Sequence, residues 1–289
     1  MTTSLALQAA RFREQNSAGR LLLPNAWDAA SARIFEEAGF TAIGTTSAGI
    51  AYAEGYRDAE QIDRDAMVRA IAKIVKAVSV PVSADIEGGY GPSPADVRQT
   101  VDDVLDAGAA GINLEDTAHY GGTAALLGVD AQCERIAAAR EAAARRGVPL
   151  VINARTDTFL LSLGANVDER VALTVDRGGR YMQAGADLVF VPLLVDPSTV
   201  KRLATQLPGP LSLMALPGAP PAAELFAAGA TRVSIGQMGM LATLGSLKRI
   251  SEELHQYGTW ASIENTFYGF AEAEALFSRT RVATADAAP

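Results

Sequence analysis

The sequence is poor in the residues that form disulfides and transition-metal sites. It has one cysteine, Cys133, and two histidines, His119 and His255, in 289 residues. A single cysteine excludes an intrachain disulfide and is typical of a protein from a reducing compartment. These three residues do not have the spacing of a zinc site, so we expect no zinc centre.

Long apolar runs and basic clusters are also missing. No segment approaches the ~20 apolar residues that a membrane-spanning helix needs, and the N-terminus carries Arg11, Arg13 and Glu14 where a signal peptide has an apolar core. The formal net charge is −8, from 25 Lys+Arg against 33 Asp+Glu. We therefore expect a cytoplasmic protein that binds neither nucleic acid nor membranes.

A repeated unit of helix, glycine and apolar run dominates the chain. Glycine tolerates the left-handed conformation at a helix end, so each of five glycines predicts the end of one helix before a strand: Gly39, Gly108, Gly147, Gly185 and Gly229. Three further apolar runs, at 21–23, 80–84 and 210–214, bring the predicted strands to eight.

Eight strands alternating with helices predict an α/β fold, the (β/α)₈ or TIM barrel. Apolar periodicity predicts a helix over 62–78, and Ser93 followed by Pro94 is typical of a helix start. A doubly wound open sheet is the alternative, but no G-x-G-x-x-G follows the first strand. With 49% hydrophobic residues the chain can bury a large core, so we expect one barrel domain over 1–289.

Three segments lie outside the repeat. Residues 117–130 are rich in glycine, follow the acidic end of a strand and could fold over a site as a lid. We expect an extra C-terminal helix over 259–278, buried against another subunit by its aromatic residues Trp260, Phe267, Phe270 and Phe277. We expect residues 279–289 to form a disordered tail.

Charged residues follow three predicted strands: Asp85 and Glu87, then Glu115, then Arg155. The carboxyl ends of barrel strands share one face, so we expect these side chains to meet there. Desolvated charges need partners, so the acids suggest a cation and the arginine suggests an anionic substrate. A purely structural ion network is the alternative, and for Asp116 and Asp157 we prefer a structural role.

Oxygen ligands that leave several waters on the ion suit Mg²⁺, and Mn²⁺ nearly as well. We predict that Asp85 contacts the ion directly and that Glu87 and Glu115 hold its waters.

Five motifs in order carry a resemblance to a known family: residues 24–29 (PNAWDA), 45–49 (TTSAG), 85–91 (DIEGGYG), 111–116 (GINLED) and 153–157 (NARTD). With them the chain resembles the isocitrate lyase/phosphoenolpyruvate mutase superfamily over residues 20–245. The resemblance implies a barrel, Mg²⁺ and a small α-oxo or α-hydroxy carboxylate substrate. It also implies a homo-oligomer, a dimer or tetramer, in which the terminal helix is exchanged between subunits.

The resemblance implies roles for individual residues as well. Asp85 would bind the metal directly, Glu87 and Glu115 would contact its waters, and Arg155 would hold a substrate carboxylate with its donor fork. Thr46, Ser47 and Ala48 match the loop that binds the substrate carboxylate. Asp58 matches an acidic position near the metal, and Trp27 matches an aromatic residue that lines the pocket. For Trp27, core packing is the alternative.

The predicted lid departs from the family pattern. It lacks the Lys-(Lys/Arg)-Cys-Gly-His sequence of the isocitrate and methylisocitrate lyases, and it lacks the lysine and asparagine of the phosphonate-forming mutases. Residues 117–122 read TAHYGG instead. His119 and Tyr120 are the candidates there for acid–base chemistry, and a solvated loop residue is the alternative for His119.

We therefore expect a Mg²⁺-dependent carbon–carbon lyase that decarboxylates or cleaves a small α-oxo or α-hydroxy dicarboxylate through an enolate. Two alternatives stay open. One is phosphonate chemistry, as a mutase or phosphonopyruvate hydrolase, which a lid without lysine or arginine disfavours. The other is a catalytically idle barrel that binds a metabolite, which the intact set of acids and Arg155 disfavours.

Overall fold

The computed structural model describes residues 2–118 and 125–278, which alternate between strands and helices as the glycine repeat predicts. The strands are β1 (Leu21–Leu23), β2 (Asn25–Ala26), β3 (Ile43–Thr45), β4 (Val82–Asp85), β5 (Gly111–Glu115), β6 (Thr117–Ala118), β7 (Ala125–Leu126), β8 (Val151–Arg155), β9 (Leu188–Val191), β10 (Leu211–Met214) and β11 (Ala230–Ser234). The helices are α1 (Thr2–Ser17), α2 (Ala29–Glu37), α3 (Ser47–Ala53), α4 (Arg64–Ala77), α5 (Pro94–Ala107), α6 (Val129–Arg145), α7 (Val167–Gln183), α8 (Pro197–Gln206), α9 (Ala222–Ala227), α10 (Met238–Tyr257), α11 (Ala261–Glu264) and α12 (Phe270–Ser278).

Nine strands form one parallel sheet, in the order β1-β11-β10-β9-β8-β5-β4-β3-β2. β1 pairs with β11 and β2 pairs with β3, although both belong to one stretch of chain, 21–26, that is interrupted at Pro24. This stretch brings the two edges of the sheet together, so the sheet is a nearly closed barrel with eight positions. The predicted TIM-type barrel is confirmed, and β6 and β7 form a small separate hairpin after β5.

An amide side chain joins the barrel beside the Pro24 interruption, where proline has no N–H to donate. Asn25 Nδ2 donates to the carbonyl oxygen of Thr45 at 2.8 Å. Its Oδ1 accepts the backbone N–H groups of Ile235 at 3.0 Å and Gly236 at 2.9 Å. Asn25 therefore links β3 to the segment after β11 at the face where the strands end.

Local sequence signals set the helix ends. α5 begins with a capping box, in which the side chains of Ser93 and Asp96 each accept the other's backbone N–H, and it ends at Gly108 with a φ of 92°. The helix predicted over 62–78 is α4. Its buried stripe includes Met67 and Ile71 and faces the barrel.

The barrel interior is closed from below by α1 and contains a polar layer. Phe12 of α1 is fully buried, and a Cβ atom on Gly111 would lie 2.7 Å from its ring, so glycine is required there. The next layer toward the strand ends consists of buried polar residues: Ser83, Asn113, Asn153, Ser212 and Arg232.

The C-terminal segment differs from the expectation of one helix over 259–278. It forms two helices, α11, which ends at Glu264, and α12, which begins directly after Gly269, where the backbone has a left-handed φ of 74°. α12 packs on α2 of the same chain, where Arg33 donates from Nε and Nη2 to the carbonyl oxygen of Leu276 at 3.2 and 2.6 Å. Exchange of this helix between subunits stays a prediction, as does the tail over 279–289, which lies outside the described residues.

Within residues 2–118 and 125–278, no helix is long and apolar enough to cross a membrane.

Candidate metal and substrate site

A cavity of about 180 Å³ opens at the face where the strands end. Six residues predicted from the sequence line it: Thr46, Ser47, Ala48, Asp58, Asp85 and Arg155. Its size suits a small metabolite and is well below the several hundred Å³ of pockets for larger ligands.

Asp85, at the end of β4, has one oxygen fixed and one oxygen available. Its Oδ2 accepts the backbone N–H of Ser47 at 3.0 Å and the Ser47 hydroxyl at 2.8 Å. Its backbone N–H donates to Thr45 Oγ1 at 2.8 Å, which fixes the end of the strand. Oδ1 makes no hydrogen bond with any described residue, so this oxygen is a candidate metal ligand at the cavity wall.

Glu87, two residues after Asp85, is buried and is not among the residues that line the cavity. Its φ of 50° is left-handed, so strand geometry does not persist past Ile86. Its carboxylate accepts the backbone N–H of Glu60 at 2.6 Å and the hydroxyl of Tyr90 at 3.1 Å. Burial, together with the neighbouring carboxylate of Asp58, raises the pKa of Glu87 to about 8.

Arg155, at the end of β8, is held between two carboxylates. Its Nη1 contacts Glu115 Oε2 at 2.5 Å, and its Nε and Nη2 donate to the two oxygens of Asp157 at 2.6 and 3.0 Å. Burial by itself would lower the pKa of Arg155, but the two acids raise it above its usual value. Three of the five N–H groups of its guanidinium are used, which leaves two for an anion in the cavity.

A second buried network of hydrogen bonds, centred on Asp116, holds Asp157 in position. Its backbone N–H donates to Asp116 Oδ1 at 3.0 Å, and Asp116 Oδ2 accepts the Tyr181 hydroxyl at 2.7 Å and Arg177 Nη1 at 3.1 Å. Burial, followed by the nearby Asp157, raises the pKa of Asp116. The structural role expected for Asp116 fits this arrangement, whereas Asp157 also orients Arg155.

The other predicted residues divide between the cavity and its surroundings. Thr46, Ser47 and Ala48 are buried at the start of α3, where both donors of Ser47 are committed to Asp85. Trp27 is not among the residues that line the cavity. Its ring lies against α10, 3.0 Å from where a Cβ on Gly239 would be, which agrees with core packing.

The candidates for acid–base chemistry, His119 and Tyr120, lie outside the described residues, between β6 and β7. Their roles therefore stay predictions.

Ten lining residues were not anticipated from the sequence: Asn25, Asn113, Leu160, Phe190, Pro192, Leu193, Met214, Ser234, Gly236 and Gln237. Met214 and Ser234 are the last residues of β10 and β11, and Phe190 is the last but one of β9, so the strand-end rule applied to every strand would have found them. Leu160 and Gln237 lie in loops that carry no such signal.

The donor set fits a strongly hydrated cation. Nowhere in residues 2–118 and 125–278 do three His, Cys, Asp or Glu side chains converge as a metal-binding group. Mg²⁺ is usually bound through one or two carboxylates and keeps several waters, as does Mn²⁺ in similar sites. The open oxygen of Asp85, with Glu87 and Glu115 close behind it, meets that requirement.

Comparison with known proteins places the chain in a family. The family model of phosphoenolpyruvate phosphomutase matches residues 12–255. The uncharacterized protein Rv1998c of Mycobacterium tuberculosis is 36% identical over 235 residues, spanning 80% of this chain and 84% of the relative. The 2,3-dimethylmalate lyase of Eubacterium barkeri is 30% identical over 206 residues, spanning 70% of this chain and 68% of the relative.

Among solved structures, a phosphonopyruvate hydrolase in complex with oxalate and Mg²⁺ has a TM-score of 0.80 and 25% identity, with 93% of this chain and 94% of that chain covered. The match to the family model extends over most of the barrel, from α1 to α10. The chain therefore belongs to the phosphoenolpyruvate phosphomutase family and is an enzyme of the isocitrate lyase/PEP mutase superfamily.

Proposed function

We propose that the protein is a Mg²⁺-dependent carbon–carbon lyase that acts on a small α-oxo or α-hydroxy dicarboxylate through an enolate, with Mn²⁺ as a possible replacement. The observation that carries the proposal is the pairing of Asp85 and Arg155 in one small cavity. Asp85 has a carboxylate oxygen available for a cation, and Arg155 has unused guanidinium donors for an anion. The two ions can therefore bind next to each other.

A divalent cation at Asp85 would polarise the oxo group of an α-oxo acid and stabilise negative charge on the adjacent carbon. With an α-hydroxy acid, it would stabilise the alkoxide that forms when the hydroxyl group loses its proton. The chain's own residues do the rest of the positioning. Ser47 holds Asp85 in place, and Asp157 and Glu115 hold Arg155 so that its remaining donors face a substrate carboxylate. Loss of carbon dioxide, or of an oxo acid by retro-aldol cleavage, then leaves an enolate.

Proton transfer to or from the carbon skeleton needs an acid–base group near the cavity. His119 and Tyr120 remain our candidates, since they follow the strand that ends in Glu115. In retro-aldol cleavage the group would accept the hydroxyl proton, and in either reaction the enolate carbon must be protonated before release.

The test is calorimetric binding of oxalate, a mimic of the pyruvate enolate, with and without Mg²⁺. We expect binding only when Mg²⁺ is present. A panel of oxaloacetate, methylisocitrate, 2,3-dimethylmalate and phosphonopyruvate then identifies the reaction through release of carbon dioxide, pyruvate or phosphate. Failure to bind oxalate at any Mg²⁺ concentration would favour an idle metabolite-binding barrel.

A reaction of phosphonopyruvate in this substrate panel would instead support phosphonate chemistry. A phosphonate carries more negative charge than a carboxylate and calls for additional cationic donors. Among the described residues that line the cavity, Arg155 is the only arginine or lysine, and it already serves Glu115 and Asp157. This charge balance favours a carboxylate substrate.

A further inference from the structure

Arg232 is a buried cation that forms no ion pair with a described carboxylate, although the charge of Asp85 acts on it from a distance. The residue is 1% exposed inside the barrel, on β11, and forms no ion pair with any described residue. Its Nε and Nη1 make no hydrogen bond within the described chain. The guanidinium carbon lies 5.8 Å from the centroid of the Phe12 ring, which closes the barrel from below.

An arginine in this position is costly for stability. Burial lowers the pKa of Arg232 to about 9, which reflects the cost of keeping its charge out of water. Replacing buried charges with apolar side chains of similar volume is often neutral or stabilising. A buried polar group that lacks partners calls for an explanation beyond packing.

The one hydrogen bond of Arg232 points toward the cavity. Its Nη2 donates to Asn113 Oδ1 at 3.4 Å, and Asn153 Nδ2 donates to the same oxygen at 2.8 Å. Two donors on Oδ1 fix the orientation of the amide, so the other end of Asn113 is its NH₂ group.

Asn113 is also a wall of the cavity. It lies beside Asp85 in the register of β4 and β5, and it lines the cavity while being 7% exposed. Its Nδ2 donates to no described residue and is not enclosed by the protein, in contrast to the buried unpaired nitrogens of Arg232. The amide is therefore an unused donor next to the candidate metal ligand.

We propose that Asn113 donates a hydrogen bond to the anionic ligand of the cavity, and that Arg232 is a positioning residue that holds the Asn113 amide in the required orientation. This inference rests on the proposed function, because the ligand is the carboxylate or enolate oxygen beside the metal. A role in binding explains why an arginine is present at a buried position where it is costly for stability.

The decisive variant is Asn113→Asp. It replaces the donor with an acceptor and gives Arg232 the carboxylate partner that it lacks. We expect the melting temperature to stay the same or rise, while the affinity for oxalate in the presence of Mg²⁺ falls by about tenfold or more, the loss of one hydrogen bond to a charged group. A merely structural role would move stability and affinity in the same direction.

Arg232→Met and Asn113→Ala complete the test. We expect each to weaken oxalate binding, and we expect the double variant to bind no more weakly than Asn113→Ala alone, because the arginine acts through the asparagine. Arg140→Met is the matched control. Arg140 is a partly buried arginine that bonds Asp187 and the carbonyl oxygen of Gly185, so its loss should lower stability without changing oxalate binding.

The outcomes separate the two proposals. If the wild-type protein does not bind oxalate with Mg²⁺, the proposed function and this inference both fall. If it binds oxalate and Asn113→Asp retains the full affinity, the inference alone is overturned. Additive losses in the double variant would show that Arg232 acts without Asn113 and would also overturn it.

Discussion

Ser47 fixes Asp85 through two hydrogen bonds to one oxygen, from its backbone N–H at 3.0 Å and from its hydroxyl at 2.8 Å. The first residue of α3 thereby determines which oxygen of the acid is left for a cation. The link also joins the end of β3 to β4, because only Thr46 separates β3 from Ser47.

Asp85→Asn should abolish Mg²⁺ binding while the protein stays folded. The amide can still accept hydrogen bonds from Ser47 through its oxygen, but it carries no charge and presents a nitrogen where Oδ1 was. Calorimetric titration with Mg²⁺ measures the loss, and circular dichroism checks the fold. Asp63→Asn is the control, because Asp63 caps α4 and asparagine caps helices equally well. Unchanged Mg²⁺ affinity in Asp85→Asn would remove Asp85 as the ligand.

The metal-free protein should lose stability as the pH rises toward and through 8. Glu87 has a pKa of about 8 in the folded chain against a usual value of 4.5, so between these values the folded state binds more protons than the unfolded state. The free energy of unfolding then falls with rising pH. Urea unfolding in a chelator at about pH 5.5 and about pH 8.5 measures this slope.

Glu87→Gln is the variant that tests the assignment, since it keeps the hydrogen bond from Glu60 without a titrating proton. We expect the free energy of unfolding of the variant to change less with pH over the same range. In the wild-type protein a bound cation would favour the charged carboxylate, so Mg²⁺ affinity should rise with pH up to about 8 and do so less in the variant. An identical slope in both proteins would contradict the prediction.

Asp157→Asn should weaken the hold on the substrate carboxylate. The variant loses one of the two acceptors that orient Arg155, and a hydrogen bond between charged groups contributes about 1.5–3 kcal/mol, so we expect oxalate affinity to fall by roughly tenfold or more. Asp187→Asn is the matched control, because Asp187 pairs with Arg13 and Arg140 away from the cavity. If both variants lose stability but neither loses oxalate affinity, Asp157 has only a structural role.

We propose that copies of the chain associate through the apolar surface of α10–α12. Phe270 is 82% exposed, and several neighbours are also uncovered: Leu247, Leu254, Tyr257, Trp260, Phe267 and Phe277. Light scattering after size-exclusion chromatography should give a dimer or tetramer, and Phe270→Glu should shift it to smaller species. Leu7→Glu, on the exposed face of α1, is the control that should not. A monomeric wild-type protein would contradict the proposal.

The sequence predicted the elements that follow general rules. The barrel, the start of α5 and the convergence of Asp85 and Arg155 come from helix signals and from the shared face of strand ends. Glu87 shows where these rules stop. Its left-handed backbone follows from the loop after β4, and alternation along a strand gives no indication of it.

Contacts between residues that are not part of one local motif were harder to predict from the sequence. Asp157 was expected to have a structural role, but only the geometry of β8 and its loop shows that both of its oxygens orient Arg155. Arg232 was not singled out at all, since a charged residue in the middle of a strand looks the same in sequence whether it faces solvent or the barrel interior. The inward direction is set by the closure of the sheet.

The hydrogen bonds of the Asn25 side chain have a consequence for local unfolding of the barrel. The backbone pairing of β1 with β11 ends at Leu23 and Ser234, and beyond it the carboxamide of a single residue connects β3 to the turn after β11. Local opening should begin at this seam, and the amide hydrogens of Ile235 and Gly236 should exchange with solvent early. Because Asn25 and Gly236 also border the cavity, a molecule bound there would stabilise this junction of the barrel.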